Sequence, residues 1–226
     1  MISAKDICII LTTTIHVGEH KIGLFQKDVQ SRLNTYLKAV IQWLENSDFT
    51  LVLVENSGYT WNELIPYQEK YAHRFQIHTF DEALEENAEY LRYDQSKGCS
   101  ELYAINYVHN VSELIRNSKF VIKVTGRFFI PGLQTFLESA PLEHCSAMRQ
   151  NDMTRCEMVG SRIDKFSDIF HVFALDERGD RMGHVESVYK FRMEREIKRG
   201  NNVLVCDTFV IDPTIRGGVN KVYDNI

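Results

Sequence analysis

Lys97, Lys123 and Arg127, with Gly98 and Gly126 beside them, are the residues of this sequence whose types and spacing best suit chemistry. The segment opens Ser96-Lys97-Gly98-Cys99-Ser100-Glu101, and Leu102, Ile105, Val108, Val111 and Ile115 then recur at a spacing near 3.6, which predicts an amphipathic helix. The apolar run Phe120-Val121-Ile122 follows as a strand and ends in Lys123-Val124-Thr125-Gly126-Arg127. A loop of small and cationic residues at the mouth of that helix, which is expected to start at Glu101, offers backbone N–H groups and an ammonium to an anion. The strand delivers a second lysine and an arginine to the same sheet edge. The combination suits a phosphorylated ligand, although composition alone equally permits a loop whose cations are simply solvated.

The elements that must position these residues alternate through the first half. Residues 7–11 form an apolar strand that runs into Thr12, Thr13 and Thr14, and a loop with Gly18 and Gly23 leads to a helix over 28–45. A buried strand over 50–54 ends in Glu55-Asn56-Ser57-Gly58. Asn62 caps a short helix that stops near His73, and 75–80 alternates as a third strand. Apolar strands separated by amphipathic helices predict an α/β fold, a mostly parallel sheet covered on both faces, with its ligand crevice outside the carboxyl ends of the strands. In the second half, 146–152 is polar, 158–160 and 169–175 read as short strands, and 176–180 reads as a turn. A charged helix is expected over 185–198, closed by Gly200, then a strand over 203–211 and a tight loop over 213–218. No repeat or linker interrupts the chain. The expected organisation is one domain, 1–226, with a ligand-binding half over 1–132 and an acceptor-side half over 133–226.

Composition excludes several classes. A net charge of −5 over 226 residues argues against a duplex nucleic-acid binder. No apolar run approaches the roughly 20 residues that span a bilayer. Residues 1–6 pass into a strand without a signal-peptide layout, so a cytoplasmic protein is expected. The five cysteines are scattered, with no C-x-x-C pair, and read as reduced thiols. The dinucleotide-binding, P-loop and G-x-S-x-G motifs are absent. His16 and His20 stand at i, i+4, but the intervening Gly18 favours a loop over a metal-binding helix face. Trp43, Trp61, Phe128 and Phe129 read chiefly as packing residues, and 82–89 as an acidic solvated helix or lid.

A first strand ending in threonines, a second ending in Glu-Asn-Ser, a Lys-Gly-x-x-Glu segment opening a helix and a strand ending Lys-Val-Thr-Gly-Arg-Phe resemble nucleotide-sugar glycosyltransferases of the GT-A type. The likeness is to microbial and viral polysaccharide, capsule-type enzymes with a Lys-x-Thr-Gly-Arg-Tyr/Phe motif. It covers roughly 6–132 well and the remainder weakly. The resemblance implies a Rossmann-like GT-A sheet in which Thr12, Thr13 and Thr14 line the nucleotide pocket. Glu55, Asn56 and Ser57 would hold base and ribose, and Lys97, Gly98 and Glu101 would face the diphosphate and donor sugar. The strand carrying Lys123, Thr125, Gly126 and Arg127 stands where most such enzymes place an Asp-x-Asp metal motif, and this sequence has no D-x-D.

Glycosyl transfer expels a nucleoside diphosphate whose growing charge must be neutralised. With no D-x-D, the cationic side chains Arg127 and Lys97, then Lys123 or Arg216, are the expected substitutes. A metal-independent enzyme without a cofactor follows; Mn²⁺ or Mg²⁺ held by Glu55, Glu101 or Asp152 is the fallback. An inverting transfer also needs a base. Glu186 fits the resemblance best and Asp152 is the other candidate, while a retaining mechanism would need neither. The expected partners are a nucleotide-sugar donor, UDP-linked, and a glycan acceptor. The alternatives are a non-catalytic nucleotide-sugar-binding domain and a nucleotidyltransferase.

Overall fold

The computed structural model describes residues 2–92, 94–172 and 184–226. The first strand, β1 (Ile7–Thr13), is buried along its whole length, because parallel neighbours flank it and helices cover both faces. One neighbour is β2 (Thr50–Glu55), which pairs outward with β3 (Phe75–Thr79). The other is β4 (Phe120–Thr125), next to β6 (Met158–Arg162), β5 (Cys145–Arg149) and β7 (Asn202–Val205). The sheet order is β3-β2-β1-β4-β6-β5-β7, and only β6 runs against the rest. A separate hairpin pairs β8 (Val210–Ile215) with β9 (Val222–Asn225).

Helix α1 (Val29–Asn46) starts where the Asp28 carboxylate accepts the Ser31 N–H at 2.7 Å. Its apolar stripe packs Leu33, Val40, Trp43 and Leu44 against one face of the sheet. The opposite face carries α3 (Lys97–Val111), α6 (Phe166–Phe170) and α7 (Val185–Lys198). Short helices α2 (Ile65–Lys70), α4 (Glu113–Arg116) and α5 (Leu133–Ser139) complete the connections.

The expected strands of the first half form, as does the charged helix over 185–198. Several local expectations are corrected. Lys97 and Gly98 belong to the first turn of α3, which Ser96 caps, rather than to a loop before it. The stripe of 102–115 is broken at Ser112, which ends α3 and caps α4; Val111 is therefore exposed while Ile115 is buried. Strand β5 was hidden because Cys145, Ser146 and Ala147 are small or polar, yet central sheet positions bury all three. Residues 166–170 are helical, with Phe166, Ile169 and Phe170 buried at a 3–4 spacing; 173–175 of the strand expected there, and the turn at 176–180, lie outside the described residues. The strand expected over 203–211 is two strands in different sheets, and Pro213 lies inside β8, where a two-stranded ribbon tolerates a missing donor.

Candidate functional site

A cavity of about 1050 Å³ opens at the carboxyl edge of β1, β2 and β4, walled by the first turns of α3 and α7 and by the loop at 216–219. Of the residues singled out in the sequence, Thr12, Thr13, Thr14, Asn56, Ser57, Lys97, Gly98, Glu101, Lys123, Thr125, Arg127, Glu186 and Arg216 line it. Glu55 and Gly126 lie just behind its wall, and Asp152 does not reach it.

Lys123 is wholly buried. Its Nζ lies 2.7 Å from Glu101 Oε1 and donates to the Cys156 carbonyl at 2.7 Å and to Thr125 Oγ1 at 3.3 Å. Thr12 donates to the same Glu101 oxygen at 3.0 Å. Burial opposes the charge on Lys123, but Glu101, helped by Cys156 and Glu157, holds the ammonium above its ordinary pKa. This lysine therefore braces Glu101 and the end of β4, and its donors are spent inside the fold.

Glu55 is also an organiser. Its carboxylate accepts the N–H groups of Ile15, Ser57 and Tyr59 at 2.8, 2.8 and 3.0 Å and the Ser57 hydroxyl, which fixes the turns after β1 and β2. Burial raises its pKa against those hydrogen bonds. Asn56 points the other way: its Oδ1 accepts from Thr14 Oγ1 at 2.6 Å and its amide donates to Glu82 at 2.9 Å. Glu82, expected on a solvated acidic helix or lid, is instead buried against Lys21 at 2.8 Å and Ser100. The Thr14–Asn56–Glu82–Ser100 chain makes a polar wall suited to a base or ribose edge.

A second part of the lining is cationic. Arg127 is nearly buried and donates to Gln26 Oε1 at 2.8 Å, the Ile215 carbonyl at 3.2 Å and the Tyr36 hydroxyl at 3.1 Å. Lys97 Nζ donates to the Gly23 carbonyl at 2.6 Å; burial lowers its pKa, Glu186 opposes that shift, and Arg216 and Arg127 add to it. Gly217 and Gly218 lie flush over this pair. A Cβ on Gly217 would come within 2.6 Å of Arg127 Nη2, and one on Gly218 within 2.7 Å of Lys97 Nζ. Any larger residue at either position would have to push the end of one of these side chains aside.

Glu186 stands in the first turn of α7, where its carboxylate favours the helix dipole. Gly98 permits that placement, since a Cβ there would meet Val185 Cβ at 2.6 Å. Arg216 links two acids, lying 3.7 Å from Glu186 Oε1 and 3.4 Å from Glu157 Oε1, and donates to Tyr223 at 3.0 Å. The pocket thus holds a half-exposed carboxylate next to a cation, the pairing a general base beside a leaving anion requires. Asp152, the other candidate, sits on the surface and accepts from the Thr154 N–H and hydroxyl at 2.8 and 2.7 Å.

The sequence reading missed Arg32, Tyr36, Lys21 and Glu157, all set by tertiary contact. One signal was available: Arg32 and Tyr36 flank the apolar stripe of α1 at i, i+4, where a solvated arginine would not be expected. His16 and His20 lie in the loop after β1, with His16 tilted against Tyr59. Trp43 is buried and donates to the Phe128 carbonyl at 2.8 Å. Among the described residues, no three His, Cys, Asp or Glu side chains gather as metal ligands. At the end of β4 the donor set is an ammonium, a hydroxyl and a guanidinium, which does not fit a divalent cation.

No protein-family model and no curated protein matches this sequence. Solved structures do. The glycosyltransferase GlyE of Streptococcus pneumoniae is similar over 92% of this chain and 46% of its own, at 8% identity and a TM-score of 0.52. S. aureus TarS is similar over 88% of this chain and 57% of its own, at 11% identity and a TM-score of 0.50. The chain spans about half the length of these two proteins. The sheet and these likenesses show a mostly parallel α/β fold that is GT-A-like.

Proposed function

We propose that this protein is a glycosyltransferase that moves a sugar from a nucleoside-diphosphate sugar, UDP-linked, to a polysaccharide or other glycan acceptor in the cytoplasm. The observation that carries this reading is the cationic wall: Lys97 and Arg127 sit side by side under Gly217 and Gly218, at the sheet edge where a GT-A-like fold presents its ligand. In this reading the polar wall of Thr14, Asn56 and Ser57 takes the nucleoside, and Arg127 and Lys97 take the diphosphate. Glu186 accepts the proton of the attacking hydroxyl. Arg216, paired with Glu186, stabilises the charge that develops on the leaving diphosphate without a metal ion. The half over 133–226 contributes Glu186 and Arg216 and would face the acceptor.

The test is release of free nucleotide from UDP-, GDP- and CMP-linked sugars, with and without EDTA. Turnover with a UDP-sugar that survives EDTA is expected. Strict dependence on Mn²⁺ or Mg²⁺ would defeat metal independence, and binding of the donor with no turnover would make the protein a binding domain.

A further inference from the structure

Four cations among the described residues of the cavity stand without a built-in ion pair. Among the described residues, the cavity cations Arg32, Arg92, Lys97 and Arg127 have no carboxylate at ion-pairing distance, whereas Lys21 and Lys123 each have one and Arg216 has two. A sugar-linked nucleoside diphosphate carries two negative charges. Two of the unpaired cations form a built pair. Arg32 is almost wholly buried, and its three nitrogens donate to the Thr14 carbonyl at 2.6 Å, the Gln26 carbonyl at 2.9 Å and the Tyr36 hydroxyl at 2.8 Å. Arg127 reaches the same hydroxyl from the other side, and both guanidinium carbons lie 5.3–5.4 Å from the Tyr36 ring centroid.

Every acceptor in this cluster is neutral, and a guanidinium has five N–H donors. Arg32 therefore keeps two donors unspent, and Arg127, with three bonds, keeps two more. Two like charges packed together away from water are costly without a counter-charge. Glu55 is the carboxylate felt at Arg32, but it lies beyond ion-pairing distance and its oxygens are spent on its own turn.

Resting on the reading that the cavity takes a nucleotide sugar, we infer that Arg32 and Arg127, spaced by Tyr36, form a second anion subsite that binds the carboxylate of an acidic sugar. Forked guanidiniums match a carboxylate in two parallel hydrogen bonds. Lys97 and one edge of Arg127 then serve the diphosphate, while Arg32 and the other edge of Arg127 select the sugar acid. The acid is carried by the donor sugar or by the acceptor.

Donors that differ only in the carboxylate test this: UDP-glucuronate against UDP-glucose, and GDP-mannuronate against GDP-mannose, by calorimetry on the full chain. The wild type should bind the acidic member about ten-fold more tightly, the lower range of a charge-assisted hydrogen bond. Arg32→Gln should abolish that preference and leave the neutral donor's affinity unchanged. Arg32→Lys, which keeps the charge but not the fork, should retain part of it and serves if the glutamine variant does not fold. An acid on the acceptor would show as thermal protection by free glucuronate, not glucose, in the presence of UDP, again lost in Arg32→Gln. Equal binding of both members together with no glucuronate protection would overturn the inference, as would an equal loss for both members in Arg32→Gln. Should the wild type bind no nucleotide, the proposed function fails by itself; glucuronate protection without nucleotide, sensitive to Arg32, would still support the subsite, and its absence would overturn it.

Discussion

Two sets of buried cations lie within one cavity, and they are partnered in opposite ways. Lys123 faces a carboxylate at 2.7 Å and two further oxygens. Arg32 and Arg127 face only carbonyls, one side-chain amide and a shared phenol. Burial is similar; the counter-charge differs. A buried cation whose counter-charge is built into the chain serves the fold, because its pairing is complete before any ligand arrives. A buried cation without one is left to a ligand.

The largest expected effect breaks the paired set. Glu101→Gln leaves the Lys123 ammonium uncompensated in the core and should cost about 3–5 kcal/mol of stability. The urea midpoint reads this, and the double variant Glu101→Gln/Lys123→Met should regain much of the loss. Unchanged stability in Glu101→Gln would erase the distinction between the two sets.

Next comes the carboxylate beside Arg216. Glu186→Gln should lower turnover by about 10²-fold, roughly 2.7 kcal/mol in the barrier, while the donor dissociation constant barely moves. Normal turnover would mean that the transfer uses no base at this position.

Arg127→Ala should weaken nucleoside-diphosphate binding by roughly 1.5–3 kcal/mol and leave binding of the uncharged nucleoside intact. Arg127→Lys should recover only part, since a point charge lacks the fork. Stability should respond less than in Glu101→Gln; a larger stability loss would move Arg127 into the structural set.

The smallest effect is a pH dependence at Lys97. Burial sets its folded-state pKa below 10.5, so the unfolded chain binds more protons in the alkaline range. This group's contribution to stability therefore rises as pH rises through the lowered value towards 10.5. Diphosphate affinity moves the opposite way and falls over the same window as the ammonium is lost. Lys97→Arg should flatten that fall, as titration of affinity against pH would show.

Part of the site is legible because its residues are close in sequence to strong signals. Strand ends follow apolar runs, so Thr12, Asn56, Lys123 and Arg127 could be assigned to one sheet edge without coordinates, and a carboxyl edge is where such a sheet binds. Which of those residues face the ligand was not legible. Lys123 and Arg127 lie four apart on one strand end, yet the first is consumed by Glu101 and the second is not.

By itself, then, the sequence determined the strands and helices of the first half and the helix over 185–198, since apolar periodicity and caps act over a few residues. It placed Glu186 at the start of one helix, Lys97 at the mouth of another, and Lys123 and Arg127 at the end of a strand. Tertiary structure decided the rest: that Asp152 stays outside, that Arg32 and Tyr36 enter from α1, that 203–215 divides between two sheets, and that Gly217 and Gly218 close over Arg127 and Lys97. The contacts of Arg127 with Tyr36 and Gly217, and of Lys97 with Gly218, join positions about 90 to 120 residues apart, and no local pattern encodes such distances. Only packing chooses which buried charge receives a partner.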